Sequence, residues 1–273
     1  MSSSMSDRVS VSIEDGIADV RLNRPEKLNA IDPAMFMALC DAGRALADEK
    51  SVRAAVLSGE GRAFCAGLDF ASFNAMAGGS DGDMPPADEV FASPEGPGKA
   101  QLGAWVWQEL PVPVIGAIHG VAYGGGFQIA MGADIRFVAP DARLSIMEIK
   151  WGLIPDMAGT QTLRRIARLD VIKELVFTGR VISGEEAFRL GLATHLSETP
   201  LVDAMKLARE IATKSPEAVR AAKRLLNESG LGSVREGFVL ESELQKQLIG
   251  TPNQIEAVRA NMEKTAPVFR DPE

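Results

Sequence analysis

VAYGGGFQIA, residues 121–130, sets three consecutive glycines between an apolar, strand-like run and the opening of a helix. Glycine carries no Cβ, so a triplet here lets backbone N–H groups come close to whatever lies beyond the strand end. Such groups can face a bound anion, or an oxyanion that forms during a reaction. The polar side chain just inside the helix is Gln128. A carboxylate there could move protons, whereas an amide can only hold its neighbours by hydrogen bonds.

Upstream, VPVIGAIHG (112–120) reads as a buried strand, and downstream DIRFVA (134–139) and ARLSIM (142–147) read as two more. Residues 112–135 together are long enough to cross a bilayer. Pro113, His119, the glycines, Gln128 and Asp134 interrupt them, so the expected reading is strand, tight turn and buried helix, with no membrane span.

Further out, RVSVSIE (8–14) and IADVRLN (17–23) form an expected hairpin across Asp15-Gly16. A helix follows, with Asp32 as N-cap and Pro33 at its first position; Phe36, Leu39, Cys40, Leu46 and Ala47 recur at helical spacing. Gly43 on the same face allows close packing. VRAAVLSG (52–59) is a buried strand, residues 71–100 a polar, Gly- and Pro-rich excursion, and 101–110 a helix. From about residue 158 onward the signals are nearly all helical. Ser183 with Glu186 forms a capping box, and Ser215-Pro216 stands at another helix start. The pattern is an α/β layered core, residues 1–200, followed by a helical region, residues 201–273.

Composition narrows the function. A formal net charge of −8 argues against nucleic acid or an anionic membrane as the partner. Cys40 and Cys65 have neither metal-site nor redox spacing and fit a reducing cytoplasm. The start, MSSSMSDRVSVS, has no basic stretch leading into an apolar core, so no secretion signal is expected. No serine occupies a nucleophile elbow, no His, Cys or carboxylate cluster has metal spacing, and the glycines lack the dinucleotide fingerprint. His119 and His195 read as structural.

Four stretches, RPEKLNAI (24–31), GRAFCAGLDF (61–70), HGVAYGGGFQIAMGADI (119–135) and MEIKWGLIPDMAGTQTL (147–163), stand in an order and at separations that resemble the crotonase superfamily, the enoyl-CoA hydratase/isomerase family. The resemblance runs from about residue 8 to the C-terminus and includes GRVISGEEAFRLGLATHL (179–196). It implies a crotonase-like spiral of strand–strand–helix repeats with a C-terminal helical oligomerisation region, assembled as a homotrimer or a dimer of trimers. It implies a substrate that is an acyl-CoA thioester, with no cofactor beyond the coenzyme A that the substrate carries. The backbone N–H groups matching the family's oxyanion hole are those of Leu68 and Gly125.

The resemblance also locates the acid–base groups. Hydratases of the family carry glutamates at two positions, here Gln128 and Glu148, so the first departs from the pattern. Asp156, eight residues after Glu148, stands where hydratases have glycine and dienoyl-CoA isomerases an aspartate. Asp156 is therefore read either as a partner of Glu148 or as a helix cap before AGTQTL. Isomerisation needs only one base that takes a proton and one acid that returns it, so the set Glu148, Asp156 and Gln128 leans toward an enoyl- or dienoyl-CoA isomerase, with hydration using Glu148 alone and a non-catalytic acyl-CoA-binding member as alternatives. For the CoA moiety the resemblance points to Arg24 and Lys27 as phosphate contacts, each equally readable as a solvated loop charge, and to Ala66 and Asp69 at its bend. The acyl tail is expected toward Phe73, Met76, Trp105 and Trp107.

Overall fold

A computed structural model of the chain describes residues 2–3, 7–69 and 96–272. The strands β1 (Ser2–Ser3), β2 (Val9–Glu14), β3 (Ile17–Leu22), β4 (Ala54–Gly59), β5 (Val114–Ile118), β6 (Val121–Tyr123), β7 (Ile135–Val138), β8 (Arg143–Ser145), β9 (Ile182–Ser183) and β10 (His195–Leu196) form two sheets. The larger runs β1-β2-β3-β4-β5-β7-β10 and the smaller β6-β8-β9. From β3 to β10 the larger sheet is parallel, as is the β6–β8 pair.

Topology explains the glycine-rich stretch. Leaving β5 of the large sheet, the chain turns at His119-Gly120 into β6 of the small one and then enters helix α3 (Gly125–Met131). The next turn repeats the move, from β7 to β8. Residues 112–135 are therefore cut into strand, strand and helix. No helix of the described residues is long and apolar enough to cross a membrane.

The central strands are buried along their length, as parallel strands covered on both faces must be. Ala55, Leu57, Val114 and Ile118 face the main core beneath α1 (Pro33–Asp48), α2 (Lys99–Glu109) and α3; Ala54, Val56, Ile115 and Ala117 face Ala204 and Ala208 of a later helix, Pro200–Ala212. The alternation follows from the two-residue period of a strand. That helix, Pro200–Ala212, covers the sheet's second face.

Local chemistry fixes the element ends. Asp15 and Gly16 both take positive φ, 51° and 77°, as a tight hairpin requires. Asp32 accepts a hydrogen bond from Met35 N at 2.8 Å, capping α1. A Cβ on Gly43 would lie 2.3 Å from Val106, so α1 and α2 cross where that glycine lets them approach.

Beyond residue 158 the chain forms α4 (Gly159–Leu163), α5 (Leu169–Thr178), α6 (Gly184–Arg189), α7 (Pro200–Ala212), α8 (Pro216–Glu228), α9 (Val234–Leu248) and α10 (Pro252–Glu263). Two sequence readings need correction here. The region is not helical throughout: β9 and β10 are inserted, each of two residues, too short to carry a periodic signal. Ser183 accepts from Glu186 N at 3.1 Å, but the Glu186 carboxylate pairs instead with Arg180 at 2.8 Å. Ser215 stands at the N-cap of α8 and Pro216 at its first position, as read; the Ser215 hydroxyl turns to Glu217 at 3.4 Å instead of capping a backbone N–H.

Helix α8 is tied to the core by a buried cation. Lys223 Nζ donates to Trp107 O at 2.9 Å and Val112 O at 3.0 Å and pairs with Asp134 at 2.8 Å. Burial pushes the Lys223 ammonium below its ordinary value, and Asp134 opposes that.

Candidate active site

Three chain segments converge at the start of α3. Residues 24–31 turn sharply, Leu28 and Asn29 both taking positive φ (53° and 56°). The turn is held by Asn29, fully buried, which accepts from Arg24 N at 2.8 Å and donates to Glu60 O at 2.9 Å and Ala63 O at 2.8 Å. Sequence reasoning did not single out Asn29. A leucine and an asparagine in left-handed conformation carry no local signature strong enough to announce them.

The second segment, 65–69, runs beside the first. Ile31 N donates to Gly67 O at 2.8 Å and Asp69 N to Ile31 O at 2.9 Å. In this parallel bridge Gly67 and Asp69 present their polar groups to Ile31, so the N–H of Leu68, between them, points to the other side. Gly67 takes φ +85°, and a Cβ on it would stand 2.5 Å from Tyr123 O and 3.7 Å from Gly125 N. No other residue lets this strand lie so close to the glycine turn.

Gly124 N donates to Ser145 O at 2.9 Å, and α3 begins one residue later, at Gly125 rather than after Gly126 as the sequence suggested. Gly125 N–H is thus a first-turn donor with no acceptor inside its helix. Among the described residues neither Leu68 N–H nor Gly125 N–H has a hydrogen-bond acceptor. Two unfilled donors on adjoining backbone are what an anionic oxygen would require.

Glu148 opens a short 3-10 helix, Glu148–Trp151, and is 8% exposed. Its Oε1 accepts from Gln128 Nε2 at 2.6 Å, while Oε2 is buried and, among the described residues, has no hydrogen-bond partner. Gln128 is buried as well, and its Oε1 accepts from Met157 N at 2.9 Å and Gly159 N at 3.0 Å. A Cβ on Gly159 would stand 2.6 Å from that oxygen, so glycine lets the 156–159 loop descend onto Gln128. Burial raises the Glu148 carboxyl above its ordinary value; the Gln128 hydrogen bond opposes the rise and the charge of Asp156 adds to it.

Asp156 is solvent-exposed as a residue, yet desolvation raises its carboxyl too. It is not a helix cap. The N-cap of α4 is Ala158, in left-handed conformation (φ 62°), and that turn places Asp156 two residues outside the helix.

The residues expected at the CoA moiety lie on the same side of the molecule. Arg24 pairs with Asp69 at 2.5 Å and donates to Ala30 O at 3.1 Å, so these two charged groups brace the loops against each other. Lys27 is exposed at the end of the 3-10 turn Pro25–Lys27, and Ala66 N donates to Leu28 O at 2.9 Å. Phe73 and Met76 lie outside the described residues. Trp107 is not acyl-chain surface: it is fully buried, its indole N–H donating to Gly103 O at 3.2 Å. Two residues apart on one helix, Trp105 and Trp107 point to nearly opposite faces. Trp105 lines a cleft of about 650 Å³ between the end of α2 and helices α8 and α9, and none of the candidate site residues lines it.

Each histidine has a structural partner: the His119 ring meets Gly61 O at 2.9 Å, and His195 stacks on Phe137 at 4.7 Å. Among the described residues no group of three or more His, Cys, Asp or Glu side chains could hold a metal ion.

Residues 12–272 match the family model described as Enoyl-CoA hydratase/isomerase. Mitochondrial methylglutaconyl-CoA hydratase of Mus musculus is 31% identical over 93% of this chain and 80% of its own. Carnitinyl-CoA dehydratase of Salmonella typhi is 31% identical over 97% and 99%. Among solved structures, enoyl-CoA hydratase from Bacillus anthracis superposes with a TM-score of 0.85 at 29% identity, over 96% of this chain and 98% of that one.

Proposed function

From the premise that this chain belongs to the enoyl-CoA hydratase/isomerase family and is an acyl-CoA enzyme of that family, we propose that it moves a carbon–carbon double bond within an enoyl- or dienoyl-CoA thioester. The observation that carries the reading is the asymmetry of the acid–base pair: one buried carboxylate with an oxygen unpartnered among the described residues, Glu148 Oε2, faces an amide that can take no proton.

In this reading the thioester oxygen accepts from Leu68 N–H and Gly125 N–H. Glu148 Oε2 removes a proton from the carbon next to the thioester, leaving an enolate whose charge those two N–H groups hold. The same oxygen, or Asp156, returns a proton to the far end of the conjugated system. One C–H bond breaks, another forms, and the formula is unchanged. No cofactor takes part; coenzyme A arrives within the substrate. Lys27 is the proposed phosphate contact, Arg24 acting through its brace to Asp69. Ala66 and Asp69 flank the CoA bend.

A second reading, hydration with Glu148 as the only base, is favoured by the names of the relatives, which are hydratases and a dehydratase. Purified protein assayed with crotonyl-CoA, a 3-enoyl-CoA and a 3,5-dienoyl-CoA distinguishes the two. The isomerisation reading expects turnover on at least one of the latter pair to exceed hydration of crotonyl-CoA. Hydration faster than either isomerisation overturns it.

The proposed compartment is the cytoplasm, in keeping with two free, buried cysteines, Cys40 and Cys65. The proposed assembly is a homotrimer or a dimer of trimers. Supporting it, α5, α9 and α10 leave large apolar side chains in water, among them Phe177 (69% exposed), Phe238 (62%) and Met262 (82%), more than a lone chain needs. Light scattering is expected to give three or six times the chain mass, and a monomer overturns the assembly.

A further inference from the structure

The environment of Gln128 goes further than its inability to take a proton. Its amide is gripped from three directions: two backbone N–H groups, of Met157 and Gly159, point at one end, and Glu148 Oε1 at the other. Turning the amide over would set its NH2 against two N–H donors and its oxygen against a carboxylate oxygen. All three contacts would be lost, so one orientation is fixed. Glu148 Oε1 is then always met by a donor, and any proton the carboxyl carries resides on Oε2.

We propose that Gln128 is a positioning residue, clamped by the 157–159 loop, that reserves Oε1 of Glu148 as an acceptor and leaves Oε2 as the single proton-transfer atom of the site. The proposal rests on the reading of Glu148 as the base. It adds that the position has become an orienting donor rather than a second acid or base. It also links the base to Asp156: the loop that clamps Gln128 begins one residue after that aspartate. Among the described residues, Asp156 is the charged side chain whose field reaches Glu148.

The sign of the effect follows from which form the amide stabilises. A donor to the carboxylate favours its ionised form and holds its pKa down. Removing that donor must raise the pKa further.

The test is a carboxyl carbon NMR titration of Glu148, assigned by loss of its signal in Glu148→Gln, together with the pH profile of kcat/KM. Gln128→Met keeps the length and removes the donor. The Glu148 midpoint and the acid limb of the profile are both expected to rise by about one unit, a tenfold change in proton affinity, with kcat falling more than KM rises. Because Gln128→Met leaves two backbone N–H groups without an acceptor and could fail to fold, Gln128→Glu is the companion. It keeps that acceptor and sets a second carboxyl against Oε1, so the single Glu148 step should become two coupled steps that share one proton. An unmoved Glu148 midpoint in folded Gln128→Met, or one unchanged step in Gln128→Glu, overturns the proposal. The titration reads Glu148 without turnover, so a protein inactive on every unsaturated acyl-CoA would end the reading of the reaction while the titration still decided the role of Gln128.

Discussion

Glu148→Gln is expected to lower turnover by about 10²–10⁴-fold, the usual contribution of a general acid–base group, while leaving acyl-CoA affinity nearly unchanged. The substitution preserves shape: the new side chain can still present an oxygen to Gln128 Nε2, and its NH2 occupies the place of Oε2. What is lost is the ability to hold a proton. The same change should make the protein more stable at neutral pH. Burial raises the folded-state pKa of Glu148 above its unfolded value. For such a group stability is fully present below the unfolded pKa and falls as pH rises through the folded one. Wild type therefore carries at pH 7 a penalty that glutamine removes, and the difference should vanish toward pH 4, where both forms are neutral. Thermal unfolding across that range, beside steady-state kinetics, checks both parts. A rate loss smaller than about tenfold rejects Glu148 as the base.

The second large effect is expected at the oxyanion donors. Gly125→Pro removes one N–H at the first position of α3, where a proline is conformationally acceptable because that N–H has no partner inside the helix. A Cβ there meets Met157 Sδ at 2.7 Å and Ile31 Cδ1 at 3.0 Å, so Gly125→Ala serves as a control that adds the crowding and keeps the donor. The loss beyond that of the alanine variant should be about 10²–10³-fold, the cost of deleting one such donor, and it should fall alike on every thioester tested. Circular dichroism confirms folding. A folded proline variant as active as the alanine variant would place the oxyanion elsewhere.

Sequence by itself determined most of this protein's layout. The hairpin at Asp15-Gly16, the Asp32-Pro33 start of α1, the buried parallel strands and the position of α3 all follow from neighbours close in the chain, where φ preferences, caps and the two-residue or 3.6-residue periods operate. The order of four motifs also carried the family, and with it the candidates Leu68, Gly125, Gln128 and Glu148. The short β9 and β10 exist because a partner strand is already in place, and nothing in two residues can say so. Asn29 accepts from Arg24 N within its own turn, but it also donates to carbonyls more than 30 residues away, which no local pattern can announce. Trp107 and Trp105 look alike in sequence, and only the packing of α2 sends one into the core.

The candidate site shows the same division most clearly. That Gln128 is an amide was legible; which end of it faces Glu148 was not. That orientation is imposed by two N–H groups from a loop about 30 residues further on, brought down where Gly159 has no side chain. Residue identity is a property of the chain, but the direction of a hydrogen bond and the exposure of a carboxylate oxygen depend on what the folded chain sets against them, and only the tertiary structure supplies that.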